Sequence, residues 1–242
     1  SVDASVAAFG IVQNAVVSSD ASNVSVEILG DIRSLTFIEA NLADYQQAIE
    51  GETALVDVAA LQVLINSVDT SIVALTNVQL AATNNEASGI NTTTLNDIIG
   101  LTFTPANMTD YQGAIAAESS IADVAALQAL IDSVDASVIA FATVQLAATS
   151  SDASTVNATL LAKIRGLTFI GSHILDYRRA IESEASIADV IALQGVIDSV
   201  DASVAAFAAV QAAATSSDAS TVTVDTLTAI RNLTVDSANV TA

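Results

Sequence analysis

Apolar residues recur along this chain at alternating steps of three and four. Val124, Leu127, Ile131, Val134, Val138 and Phe141 form one such stripe. Val58, Leu61, Ile65, Val68, Ile72 and Leu75 form a second, and Val190, Leu193, Ile197, Val200, Val204 and Phe207 a third. A stripe of this kind stays in phase only along one unbroken α-helix. The segment 120–149 contains neither glycine nor proline, so it reads as one helix of about 45 Å at 1.5 Å per residue. Ser120-Ile-Ala-Asp123 has the spacing of a capping box and predicts its start, with Asp in the place usual for Glu or Gln.

A polar loop follows each stripe, as in Ser18-Ser19-Asp20-Ala21-Ser22 and Asn84-Asn85-Glu86-Ala87-Ser88. Ser25, Asn91, Asn157 and Thr223 come next, all residue types whose side-chain oxygen satisfies an orphan N–H at a helix start. They predict a short helix that carries Leu160, Leu161, Ile164 and Leu167 in one copy, with Gly100 and Gly166 near its end as C-cap glycines. A second short helix is predicted to begin at Thr104-Pro105, with proline at its first position, and to carry Asp44-Tyr45, Asp110-Tyr111 and Asp176-Tyr177. Three amphipathic helices joined by brief loops bury their stripes best against one another.

The pattern repeats. Ser-Val-Asp recurs at Ser1, Ser67, Ser133 and Ser199, and units 67–132 and 133–198 share 36 of 66 positions without a gap. Self-similarity at a fixed period marks a tandem array. The expected fold is therefore all-α: tandem 66-residue three-helix-bundle repeats joined by long continuous helices into an elongated rod. Its segments are 1–24, the second half of a linker helix plus loop; modules 25–90, 91–156 and 157–222; and 223–242, a partial module holding a first helix. Ser1 is not an initiator and no signal peptide opens the chain, so the sequence reads as a processed product or an excised piece. With its ends uncapped, either further repeats flank it or subunits join end to end.

Leu-x-x-Ile-x-x-Leu-Thr at 95–102, Asp-Tyr-x-x-Ala-Ile at 110–115 and Ser-Ile-Ala-Asp-Val-x-Ala-Leu-Gln at 120–128, with their counterparts one period away, resemble the GA-type three-helix modules of bacterial surface proteins. The resemblance covers about 45 residues of each period and implies a bundle fold in a cell-surface, adhesin-type protein. That family binds through a basic and apolar surface on its second helix. This chain has a longer third helix and is poor in lysine, so the resemblance carries over architecture and context but no binding residue.

Composition narrows the chemistry. Six Lys and Arg against 27 Asp and Glu leave a formal charge of −21, while 52% of residues are hydrophobic and 14% charged. That field repels phosphate backbones and anionic lipid, which argues against nucleic-acid partners, and the apolar content argues against an acidic disordered chain. There is no Cys or Trp and only one His. Each stripe includes 16 residues without a charge, as between Asp69 and Glu86, which is short of a membrane span and predicts no membrane insertion. A helix segment uncharged on every side tends to be covered on more than one face, by neighbouring modules or by another chain.

No residue is singled out as catalytic, cofactor-binding or metal-ligating. All six Phe and all three Tyr fall at three positions of the period, which predicts core filling. His173 aligns with Asn41 and Asn107 and reads as a solvated residue early in a helix. The Asp and Tyr of each adjacent pair point about 100° apart on a helix, so Tyr is expected inside and Asp at the surface. Each interhelical loop offers one carboxylate, Asp20, Glu86, Asp152 or Asp218, too few for an EF-hand. No phosphate-binding glycine motif or nucleophile elbow is present. Sequons stand at Asn23, Asn91, Asn107, Asn157, Asn232 and Asn239, of which Asn91 and Asn157 already have a role as caps. The expected function is a rigid spacer or stalk in a secreted or cell-surface protein without enzymatic activity. Alternatives are a self-assembling extracellular filament subunit and a repeated module that binds a host or matrix protein.

Overall fold

The computed structural model describes residues 1–235. Among them are eleven α-helices and no strand: α1 (Val2–Ser18), α2 (Val26–Asp31), α3 (Leu42–Gly51), α4 (Val58–Thr83), α5 (Thr92–Asn96), α6 (Met108–Ala117), α7 (Val124–Ser150), α8 (Ala158–Leu161), α9 (Ile174–Ser183), α10 (Val190–Ser216) and α11 (Val224–Thr228). Short 3₁₀ turns at Glu39–Asn41, Pro105–Asn107 and Gly171–His173 lead into α3, α6 and α9. Pro105 is the first residue of its turn, as its missing N–H and fixed φ favour. The chain divides into two compact units, Ser1–Asp132 and Ser133–Ala242. The end of the segment 223–242 and the sequon at Asn239 lie outside the described residues.

In the first unit, α1, α2, α3 and the first half of α4 share one core. Ala8, Val12 and Val16 of α1 meet Leu29, Ile32, Tyr45 and Ile49, closed by Leu61, Ile65 and Val68 of α4. Four helical segments thus contribute to this core, because the uncharged half of the helix preceding the two short ones lies in it as well. Past Val68, α4 buries Ser71, Ala74, Val78, Ala81 and Ala82 and packs on α5 and α6. The same arrangement of segments recurs in the second unit, where Val144, Ala147 and Ala148 of α7 join Leu161, Ile164, Tyr177, Ile181, Leu193, Ile197 and Val200.

The predicted stripes are correct in their first halves and shifted in their second. Leu61, Ile65 and Val68 are buried, but beyond them Ile72 and Leu75 are only half-buried, and Ala74 and Val78 take the inner face. Small Ala and Ser side chains let a helix backbone approach its neighbour closely, so the larger residues ride at the edge of the contact.

Helix starts follow the side-chain oxygens. The carboxylates of Asp57, Asp123 and Asp189 each accept the N–H three residues on, from Ala60, Ala126 and Ala192, at 2.8 Å. The long helices therefore start at Val58, Val124 and Val190 rather than at Ser120 and its equivalents. The short helices are capped as the sequence predicts: Ser25, Asn91, Asn157 and Thr223 accept from the N–H groups of Ile28, Thr94, Leu160 and Thr226.

The first short helix is barely one turn long. Ile164 and Leu167 lie beyond α8 in a tight turn, closed by a hydrogen bond from the Leu167 N–H to the Ile164 carbonyl. Gly166 in that turn has φ +76° and Gly100 has φ +80°, while Ser34 and Asn232 take the same position at φ 68° and 62°. The glycines thus serve the turn after the helix rather than its cap. No atom lies within 4 Å of the position a Cβ at Gly166 would occupy, so Gly166→Ala pays only the left-handed backbone cost. Loss of about 1–2 kcal/mol in denaturant unfolding is expected, against no significant change for Gly171→Ala.

The long helices α1, α4, α7 and α10 end alike. Asp20, Glu86, Asp152 and Asp218 each donate an N–H to the carbonyl five residues back, one residue after Ser19, Asn85, Ser151 or Ser217 in the left-handed region at φ 49–54°. This is a Schellman closure, made with Ser or Asn in the place where glycine is commonest.

Candidate functional site

The aromatic positions separate into two kinds. Tyr45, Tyr111 and Tyr177 are fully buried, as the sequence predicts. The phenylalanines do not fill the cores. Phe9, Phe37, Phe103, Phe141 and Phe169 are half-buried at their edges, and Phe207 is 53% exposed. Each Tyr carries a hydroxyl that needs a partner once buried, and the cores place it where partners exist.

In the first unit the Tyr45 hydroxyl accepts the Ile38 N–H at 3.0 Å and donates to the Asp69 carboxylate, which also accepts from Asn41 Nδ2 at 2.7 Å. In the second unit Tyr177 accepts the Ile170 N–H at 2.9 Å and donates to Asp201 at 2.5 Å, with His173 Nδ1 at 2.7 Å from the same oxygen. The partners of Tyr45 and Tyr177 are thus Asp69 and Asp201, each 24 residues onward on the long helix, not the adjacent Asp44 or Asp176. Asp44 and Asp110 are exposed and Asp176 half-buried. His173 stands early in a helix as expected, but it is not solvated: its side chain is 19% exposed and bound to Asp201. Its Nδ1 takes the role that Asn41 Nδ2 has two modules earlier, because both atoms sit three bonds from Cα.

Tyr, His and Asp meet here, and the phenol of that group is held in its neutral form. Burial, then the hydrogen bond to Asp201, pushes the Tyr177 phenol up to about 12. Burial and Asp69 raise Tyr45 in the same direction. A phenol held in its neutral form inside a core is neither a base nor an activated nucleophile. The arrangement fastens the long helix to the turn before α3 or α9. The raised folded-state value also fixes the sign of a pH effect. The stabilisation is intact below the unfolded value near 10 and drains away as pH rises through 12. Denaturant midpoints should hold level to pH 9 and fall between pH 10 and 12.

Three further fasteners escape a sequence reading. Ser71 Oγ accepts the Ile99 N–H and Ser137 Oγ the Arg165 N–H, both at 2.9 Å, and Ser5 and Ser203 do the same for Arg33 and Arg231. Gln62, Gln128 and Gln194 each accept the N–H and donate to the carbonyl of Thr36, Thr102 and Thr168. Gln13, Gln79 and Gln145 donate to the carbonyls of Leu55, Ile121 and Ile187 just before the next long helix. Each of these side chains leaves one helix and satisfies loop backbone groups that no helix pairs. Among the described residues no buried side-chain N or O lacks a hydrogen bond.

The loop carboxylates are similarly employed. Asp20, Glu86, Asp152 and Asp218 accept the N–H of Ser22, Ser88, Ser154 and Ser220 at 2.9–3.0 Å. Hydrogen bonds from those serines hold all four carboxyls below their ordinary values. Among the described residues no three His, Asp or Glu side chains converge as a metal site would require.

Two apolar faces are open. Val73 and Leu80 of α4 are 60% and 54% exposed, and Ile139 and Leu146 of α7 are 68% and 67% exposed, each pair seven residues apart. Helices α4, α7 and α10 are long and apolar enough to cross a bilayer by length and composition. The 16-residue limit read from the sequence therefore does not decide the matter, because a span tolerates a charged residue or two.

In comparison with known proteins, no family model, curated protein or solved structure matches this chain.

Proposed function

We propose that the chain is a structural spacer of a secreted or cell-surface protein, an array of 66-residue helical modules in which long helices pass unbroken from one bundle into the next. The observation that carries this reading is α4. Its first half closes one core through Leu61, Ile65 and Val68, and its second half lies on α5 and α6 through Ala74, Val78 and Ala81. A helix shared in this way has no loop at the junction to act as a hinge. The recurring Tyr–Asp, Ser–N–H and Gln–Thr links serve stiffness, since each ties a loop to a long helix. The resemblance of the sequence at 95–102, 110–115 and 120–128 to GA-type surface modules supports the extracellular context. The acidic surface keeps such an array hydrated and separate from its neighbours.

Small-angle scattering tests the proposal directly. A compact globule of 242 residues has a radius of gyration of about 18 Å. The spacer should give a value well above that with a long tail in its distance distribution, and a value near 18 Å would overturn the reading.

A second reading, a filament subunit, is favoured by the open apolar pairs on α4 and α7. Those pairs lie in stretches free of charge, where copies of a strongly acidic chain can meet without burying carboxylates. Light scattering across a concentration series separates the two, since a spacer stays monomeric and a filament subunit grows.

A further inference from the structure

The sequons are only partly used by this architecture, in which Asn91 and Asn157 cap helices through Oδ1. Thirteen asparagines and a Ser/Thr content of one fifth would yield about three sequons by chance, where the chain has six. None falls on Asn14 of α1 or on Asn66 and Asn77 of α4, the asparagines inside long helices. The five described sequons lie in loops, at helix caps or in tight turns, and at four of them the asparagine is exposed, so that a bulky substituent projects into solvent.

The side chains divide further. Asn23 is exposed in the loop after α1, and Asn232 is exposed in the turn after α11. Neither amide has a hydrogen-bond partner among the described residues. Asn91 and Asn157 are exposed caps whose work is done by Oδ1, the acceptor for Thr94 and Leu160. A glycan attaches to Nδ2, so it leaves that bond in place. Asn157 Nδ2 also donates to the Thr155 carbonyl at 3.2 Å, which needs one of its two hydrogens. Asn107 is different. It is half-buried, and its equivalent Asn41 spends Nδ2 on the half-buried carboxylate of Asp69.

We infer that Asn23, Asn91, Asn157 and Asn232 are N-linked glycan acceptors and that Asn107 is not. The donor is a lipid-linked oligosaccharide. The bond between its anomeric carbon and the lipid phosphate breaks, and the carbon bonds to Nδ2. The amide proton goes to a base of the transferase, and the polyprenyl phosphate or pyrophosphate leaves. The inference rests on the secreted or surface location proposed above, since transfer accompanies export.

The test uses the chain isolated from cells that make it, with its location read separately by protease treatment of intact cells. Peptides that carry Asn23, Asn91, Asn157 and Asn232 should exceed the mass of their polypeptide, and glycopeptide mass spectrometry should place the excess on those four asparagines. Each Asn→Gln variant should lose one increment. A protease-accessible chain at the bare polypeptide mass overturns the glycan inference alone. A bare chain protected inside the cell overturns the surface reading with it. A glycan on Asn107 overturns the structural rule stated here.

Discussion

Thr70→Pro should cost about 3 kcal/mol or more, although Thr70 is exposed and touches neither core. Thr70 lies at the middle of α4, two residues after Val68 and one before Ser71. Proline there removes the helical N–H bond to the Asn66 carbonyl, presses its ring on that carbonyl and deletes the Thr70 hydroxyl bond to the same oxygen. No cavity opens, so the loss measures helix continuity alone. Thr70→Ala is the control. It keeps the N–H and has the better helix propensity, so it should stay within about 0.5 kcal/mol of the parent. Urea unfolding of the three proteins decides the point. A proline variant within 1 kcal/mol of the alanine variant would mean that α4 is not continuous at residue 70.

Tyr177→Phe should lower stability by about 1–3 kcal/mol while leaving the ring in place. The lost oxygen strands the Ile170 N–H and leaves Asp201 with His173 as its remaining partner. Asp201→Asn keeps the shape and removes the charge. If the three groups work as one, the double variant should lose clearly less than the sum of the two single ones. Strict additivity would show that the contact is incidental. His173→Asn, which restores the residue found at 41 and 107, should be within about 0.5 kcal/mol of the parent, whereas His173→Ala should lose about 1 kcal/mol with its hydrogen bond. Thermal melts of the pair provide the comparison.

Local chemistry is what the sequence states most clearly. Ser25, Asn91, Asn157 and Thr223 announce their helices because a cap acts on a neighbour three residues away. The stripe Leu61–Ile65–Val68 is legible for the same reason, since its spacing is the helix period. The start at Asp123 is obscured because Ser120 and Asp123 also fit a capping box, and only backbone conformation decides between them. Contacts that close over 24 or 28 residues leave no mark in a single sequence. Asp69 looks like any acid on a helix, and Ser71 like any surface serine, until the packing that brings Asn41 and Tyr45, or Ile99, against them is known. His173 reads as solvated in the sequence for the same reason: its exchange with Asn shows that the position is polar, but not that it serves a half-buried carboxylate. The phenylalanines share their recurrence in the period with the tyrosines, which predicts the core for both, but these helices approach each other through Ala and Val and keep Phe at the seam.

Because α4 belongs to two cores at once, neither can come apart without fraying a segment that the other needs. Load applied along such a chain would be borne by pairs of bundles rather than by single ones. Rupture would then come in fewer and larger steps than the number of periods. The same coupling means that damage at one point weakens its neighbours, and that a bundle already formed offers a ready-made half-helix on which the next one can fold.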